Sequence, residues 1–322
     1  MKRLMTGIAA AALALLLSAE AFAQAYPNRP IRMVVGYGAG GSTDLASRIV
    51  AAHMEKTLGQ PVTVENRPGG NGAVGTGAVY NSPPDGYTLT MTSGSILTVL
   101  PWSTEIGFDP LKLTFIGSVL ESMYAQLVKG DSPWKTIEDM VKYMKENPNK
   151  VVFANSGAFG IPDIGMAQLA RAVGGLQYRT MPTTGGGEQA LKLLSGDAQT
   201  IQSSATPVLP HTRTGGMRAL LVLSTSWPEF EKDGVPLSSK KFNFTVRNLS
   251  ALAGPPGLPE PIRQKLEDAL KKAMEDKDVL AQLDKIGELI EFKTGKQILE
   301  VARQVQAEQR VVGEELGKVL KK

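Results

Sequence analysis

The 322-residue sequence has no cysteine and only two histidines, His53 and His211. Thiolate metal sites, disulfide frameworks, iron–sulfur clusters and cysteine nucleophiles are therefore excluded. Aromatic residues amount to 6%, and no basic stripe is interleaved with them, so a nucleic-acid partner is not expected. Long apolar runs are missing as well: Ile8 to Leu17 is half of the roughly 20 residues that a membrane-spanning helix needs. What remains is 42% hydrophobic and 20% charged, the composition of an ordinary globular protein. The length is about twice that of a usual single domain, which predicts two domains.

The short apolar run has its own meaning. Lys2 and Arg3 precede it, and Ala21, Phe22 and Ala23 follow with small residues at the spacing read by signal peptidase. Residues 1–23 are expected to be a secretory signal peptide cleaved after Ala23. No cysteine follows, which excludes a lipid anchor. The mature chain keeps 33 basic and 30 acidic residues, and its mixed charge runs, such as 260–285, read as solvated helix faces. Export of this bacterial type leads to the periplasm or the outside, away from ATP and NAD pools.

Apolar patterning predicts strands near residues 30–36, 61–65, 87–92, 114–119, 125–128, 151–154, 177–181, 198–202 and 218–224. Helices are predicted between them at 42–58, 137–146, 164–173, 187–194 and 208–213, and at the C-terminal end over 261–276 and 296–320. This alternation implies α/β domains with mainly parallel sheets. The C-terminal helices need a sheet to cover, and the economical solution returns them to the first domain. That gives a discontinuous domain of 24–125 with 225–322, and an inserted domain of 126–224.

The most informative segment is Gly36-Tyr-Gly-Ala-Gly-Gly-Ser-Thr-Asp44, between the first strand and the first helix. Glycines at 36, 38 and 41 match the dinucleotide fingerprint, and Glu65 ends the second strand near the place of a ribose-binding acid. An exported dinucleotide-binding oxidoreductase is thus one alternative. Export argues against it, as does Ser-Thr-Asp where a small residue would admit pyrophosphate. The same loop also leaves backbone N–H groups at a helix N-terminus, which suits an anion such as a carboxylate. Ser42 and Thr43 add hydroxyl donors, and the Asp44 carboxylate can hold the loop by accepting from backbone N–H groups. A tight turn with no ligand is the plain alternative. A hydrolase triad is not indicated, since no Gly-x-Ser-x-Gly elbow accompanies the two histidines. No metal-ligand cluster is evident.

The order of motifs resembles the substrate-binding proteins of tripartite tricarboxylate transporters, the Bordetella uptake gene family, over essentially all of the mature chain. The resemblance rests on Tyr26 to Arg32, Gly40 to Asp44 with Arg48, Gly59 to Val62, Glu65 to Gly69, Pro84 to Leu89, Arg218 to Leu220 and Ala253 to Gly257. It implies a two-lobed, Venus-flytrap periplasmic-binding-protein fold, type II-like, with two α/β domains and a central ligand cleft. It further implies a monomer without cofactor, metal or catalytic activity that delivers an organic carboxylate to membrane permease subunits. A binding protein serving a sensory receptor is the other reading of the same resemblance.

Carried onto this chain, the resemblance makes Tyr37, Gly40, Gly41, Ser42, Asp44, Asn66 and Ser93 the first-lobe ligand residues. The second-lobe candidates are Ser156, Ala158, Phe159, Thr183, Thr184, Gly185 and Ser203, each in a segment after a predicted strand, where open α/β sheets bind ligands. Here the chain departs from the family pattern. Gly160 replaces the common Ser before the second-lobe helix, Asp163 the common His within it, and Thr183-Thr184-Gly185 the common Tyr-Lys-Gly. Loss of a Lys beside Phe159 and Ile161 suits a ligand with one anchored carboxylate and an apolar or aromatic body.

Overall fold

The computed structural model describes residues 26–98, 100–103, 105–157 and 159–320. The expected signal peptide and Ala158 lie outside the described residues. The chain begins with β1 (Ile31–Val35), α1 (Ser42–Leu58), β2 (Val62–Asn66), α2 (Ala73–Tyr80) and β3 (Thr88–Thr92). Two short helical turns follow, then β4 (Thr114–Glu121) and β5 (Tyr124–Lys129). Next come α3 (Ile137–Glu146), β6 (Val152–Asn155), α4 (Ile161–Ala172), β7 (Arg179–Pro182), α5 (Gly186–Ser195), β8 (Thr200–Ser204), α6 (Ala205–Arg213) and β9 (Met217–Val222). The chain ends with β10 (Leu249–Gly254), α7 (Glu260–Glu275), α8 (Lys277–Lys285), β11 (Leu289–Ile290) and α9 (Gly295–Leu320).

These strands form two sheets, ordered β11-β4-β10-β3-β1-β2 and β7-β6-β8-β5-β9. The first draws its strands from both ends of the sequence, the second from the middle. All of β1 except Arg32 is buried, as expected of a strand covered on both faces. On one face, Val50 and Met54 of α1 pack with Leu266 and Leu270 of α7. On the other, Ile298 and Ala302 of α9 pack with Phe115, Ala251 and Ala253. The C-terminal helices thus cover the first sheet. The second sheet has a core on each face, one built around Phe153 and Ile164, the other around Trp227, Ile201 and Leu209.

The expectation of mainly parallel sheets is corrected: both are mixed. Pairs β1·β2, β1·β3, β6·β7 and β6·β8 are parallel, whereas β4·β10, β3·β10, β4·β11, β5·β8 and β5·β9 are antiparallel. The cause is the way the chain changes sheets. Only Ser122 and Met123 separate β4 from β5, so one nearly continuous strand feeds both sheets without a helical crossover. The return strand β10 then lies antiparallel against β4. Beside the crossing, Ser122 N–H donates to the Asn248 carbonyl at 2.8 Å.

Candidate functional site

The loop after β1 is shaped from behind by Asp44. Its Oδ2 accepts from Gly40 N–H at 3.0 Å, and its Oδ1 accepts from Arg48 Nε at 3.0 Å and Asn66 Nδ2 at 2.9 Å. Asn66 also donates to the Tyr37 carbonyl at 3.0 Å and accepts from Arg48 Nη2 at 2.8 Å. Burial alone would raise the Asp44 carboxyl, but the Gly40 N–H, Arg48 and Asn66 together hold it below its ordinary value. The carboxylate therefore keeps the loop closed and does not face the cleft. Gly40, with φ of +82°, makes the turn. Gly41 caps α1 in extended conformation with no side-chain cap, so the first N–H groups of the helix stay available.

Across the cleft, α5 starts at Gly186 after Gly185, and α4 starts at Ile161 after Gly160; neither has a side-chain cap from its N-cap residue. Asp163, in the first turn of α4, accepts from Asn155 Nδ2 and Gly160 N–H, and burial raises its carboxyl to about 6. A Cβ placed on Gly41 would stand 3.9 Å from Gly186 N, so the α1 and α5 termini nearly touch. Gly41, Ile161 and Gly186 line one cavity of about 40 Å³, room for a group of carboxylate size. Three positive helix ends converge there.

Hydroxyls complete the wall. Tyr37 Oη lies 2.5 Å from Ser93 Oγ and 3.1 Å from Ser95 Oγ, and donates to the Asn71 carbonyl at 3.0 Å. Ser42 Oγ lies 2.7 Å from Ser204 Oγ of the second lobe, and also donates to Glu288. Ser122 Oγ is buried on the same cavity without a hydrogen-bond partner among the described residues. Burial holds the Tyr37 and Tyr124 phenols protonated. Among the described residues, no lysine, arginine or histidine lines this cavity. The wall can thus meet a negative charge with N–H dipoles and O–H donors alone.

A second, wider cavity of about 670 Å³ opens beside the first and shares Tyr37, Asn71 and Ser156 with it. Val74, Leu100, Ile106 and Phe159 give it apolar wall, and Thr183 and Thr184 polar wall. The lobes meet at its edge: Gly38 N–H donates to the Thr184 carbonyl at 2.9 Å, and Asn71 Nδ2 donates to the Phe159 carbonyl at 3.3 Å. Asn71 and Phe159 both have positive φ, +50° and +63°, so backbone strain collects at this contact.

Of the residues expected from sequence, Tyr37, Gly41, Ser42, Ser93 and Ser156 line the small cavity. Phe159, Thr183 and Thr184 line the wider one. Gly40, Asp44, Asn66 and Gly185 shape the loops behind the walls. Ser203 lines neither; the outward position on β8 belongs to Ser204, one residue on, as the alternation of a strand requires. Sequence reasoning passed over Asn71, Ser95, Ser122, Tyr124, Gln189, Asn248 and Glu288. Asn71 could have been found, because Gly-Gly-Asn-Gly follows the end of β2.

The dinucleotide fingerprint has a different use. A Cβ on Gly36 would lie 2.6 Å from Gly72 Cα, so that glycine admits neighbouring backbone. Gly38 N–H is committed to Thr184, and Glu65 pairs with Arg32 at 3.5 Å.

Residues 46–317 match the family described as tripartite tricarboxylate transporter family receptor. The chain belongs to this family. A relative in Cupriavidus necator, the UPF0065 protein in the gbd 5' region, is 34% identical over 97% of this chain and 95% of its own length. The solved periplasmic binding protein BugD superposes with a TM-score of 0.84 at 26% identity, covering 91% of this chain and 99% of that one. MatC from Rhodopseudomonas palustris with bound malate shares the two-lobed fold at a TM-score of 0.83 and 23% identity, over 91% of this chain and 100% of that one.

Within this family receptor, Ser42→Ala is expected to cost more than a neutral hydrogen bond. It removes a donor to the buried Glu288 carboxyl, worth about 1.5–3 kcal/mol when the acceptor is charged. Denaturant midpoints of the two proteins at alkaline pH check this.

Proposed function

We propose that the protein is a periplasmic solute-binding receptor, without catalytic activity, that captures an organic carboxylate between its lobes and delivers it to membrane permease subunits. The observation that carries this reading is the convergence of three helix N-termini, none capped by the side chain of its N-cap residue, on a hydroxyl-lined cavity with no charged side chain among the described residues of its wall. Residues 1–23 act as a cleaved export signal, 24–125 with 225–322 form one lobe, and 126–224 form the other. The receptor works as a monomer, since a single chain supplies both walls of the cleft.

Tyr37, Gly41, Ser42, Ser93, Ser156 and Ser204 hold the carboxylate. The remainder of the ligand extends into the wider cavity, where Phe159, Val74, Leu100 and Ile106 favour an apolar or aromatic body. A thermal-shift screen of mono-, di- and tricarboxylates and aromatic acids, with NAD as control, tests this. At a hundredfold excess over Kd the right acid stabilises the protein by about 2.7 kcal/mol. Tight binding of citrate with no response to aromatic or longer-chain acids would overturn the apolar-body assignment, and a response to NAD alone would overturn the carboxylate reading.

A further inference from the structure

Glu288 follows α8 and is 5% exposed where the lobes and their crossing meet. Its Oε1 accepts from Ser42 Oγ of the first lobe. The same oxygen accepts from the backbone N–H and hydroxyl of Thr206, in the first turn of α6 in the second lobe, at 3.2 and 3.0 Å. Its Oε2 accepts from Met123 N–H, in the crossing itself, at 2.9 Å. One carboxyl group therefore joins both lobes and the segment between them.

Burial pushes this carboxyl up to about 7, against the hydrogen bonds from Ser42, Thr206 and Met123 that favour its charged form. Tyr124 is a nearby titratable group, held protonated by burial. Among the charged residues of the packed elements, Asp44 is tied to Arg48, Glu121 to Arg247 and Arg213 to Glu229. Asp284 and Lys285, at the end of α8, are exposed. None of these is a hydrogen-bond partner of Glu288.

Two hydrogen-bond patterns satisfy the cluster. With Glu288 ionised, the single Ser42 hydroxyl proton is committed to Oε1, and Ser42 faces Ser204 Oγ and the cavity as an acceptor. With Glu288 protonated on Oε1, its O–H donates to Ser42 Oγ, and the Ser42–Ser204 hydroxyl pair is left with a proton to donate into the cavity that both line. Thr206 then has the Ile286 carbonyl as its acceptor, at 3.1 Å. Only the second pattern suits an anion, because the first places a carboxylate behind an acceptor oxygen.

We infer that Glu288 is the positioning residue that makes carboxylate capture proton-linked: the acid is held while Glu288 is neutral and Ser42 donates to it. The proton comes from solvent as the anion binds, so the pair enters with no net change of charge. The inference rests on the carboxylate reading of the cleft.

Calorimetric titration with adipate and with hexanoate, from about pH 6.5 to about pH 9 where both probes are fully ionised, reads the effect. Wild-type affinity should weaken above neutrality, approaching tenfold per pH unit, with proton uptake visible as a dependence on buffer ionisation heat. Glu288→Gln supplies a permanently neutral side chain that can donate to Ser42, so its affinity should be independent of pH. Parallel pH profiles in the two proteins would overturn the role of Glu288, whereas absence of binding in both tells against the cleft reading itself. Carbon-13 NMR of glutamate side-chain carboxyls gives a readout that needs no ligand: one signal titrating near neutrality and missing in Glu288→Gln is expected. A midpoint below about 5 for that signal would also overturn the role. The raised value means that the folded chain keeps a proton that the unfolded chain releases between about pH 4.5 and about 7. Stability should therefore fall as pH rises through that window, and the fall should flatten in Glu288→Gln.

Discussion

Gly41→Val should abolish ligand binding, by more than about a hundredfold, while leaving a folded protein. Gly41 has φ of −83° and ψ of 166°, a conformation that valine adopts freely, so the substitution introduces no backbone strain. The obstruction lies elsewhere. A Cβ there stands 3.9 Å from Gly186 N, and the two further methyl groups of valine would fill the gap between the α1 and α5 termini. They displace the carboxylate from both N–H clusters and hold the lobes apart. Calorimetry with the best acid of the screen, beside circular dichroism and a melting curve, separates lost binding from lost folding. Wild-type-like affinity would remove this loop from the site.

Gly36→Ala should have its effect on stability, with a loss of about 1–3 kcal/mol or more. The added Cβ would lie 2.6 Å from Gly72 Cα and 2.8 Å from the Gly72 carbonyl oxygen. Both are backbone atoms, so relief requires the 70–72 turn to move away from β1. That turn carries Asn71, which contacts Tyr37 and Phe159, and ligand affinity should fall with stability. Urea unfolding followed by tryptophan fluorescence measures the first effect, and calorimetry the second. An unchanged midpoint would mean that this glycine is free for some other use.

The two substitutions divide one short motif by physics. Residues 36–41 looked from sequence like a single glycine-rich cradle, yet each glycine answers a different demand. Gly36 admits backbone, Gly38 donates across the cleft, Gly40 turns the chain and Gly41 leaves a helix end uncovered. The segment and its helix were legible, because periodicity and glycine placement are local signals. The Asp44 clamp was legible for the same reason, since a helix first turn brings a carboxylate back to its own loop. The second-lobe choice of Ser203 over Ser204 was not, because a shift of one residue along a strand reverses the face and composition does not mark which face is walled.

Larger pieces failed for a related reason. Strand β10 is Leu-Ser-Ala-Leu-Ala-Gly, with small residues where a strand signature expects β-branched ones. Its small side chains fit a position in the middle of the first sheet, between β3 and β4, where covering helices press from both faces. That demand is set by tertiary neighbours far along the chain. Glu288 was hidden in the same way: in sequence it is one acid among many near the C-terminus, and only the meeting of Ser42, Met123 and Thr206 gives it meaning.

Ser122 and Asn248 sit at the crossing between the two sheets, and both also line the small cavity. If the lobes swing about this crossing, residues beside it move little, whereas the Gly38–Thr184 and Asn71–Phe159 contacts between the lobes are lost on opening. Interactions made at the pivot are common to open and shut forms, so they set how tightly a solute is held without favouring either. In the proposed receptor, reach toward those contacts is what would drive closure. For the proposed receptor, a solute too short to reach from the crossing to those contacts would bind without closing the lobes, so chain length joins charge as a property that sorts cargo.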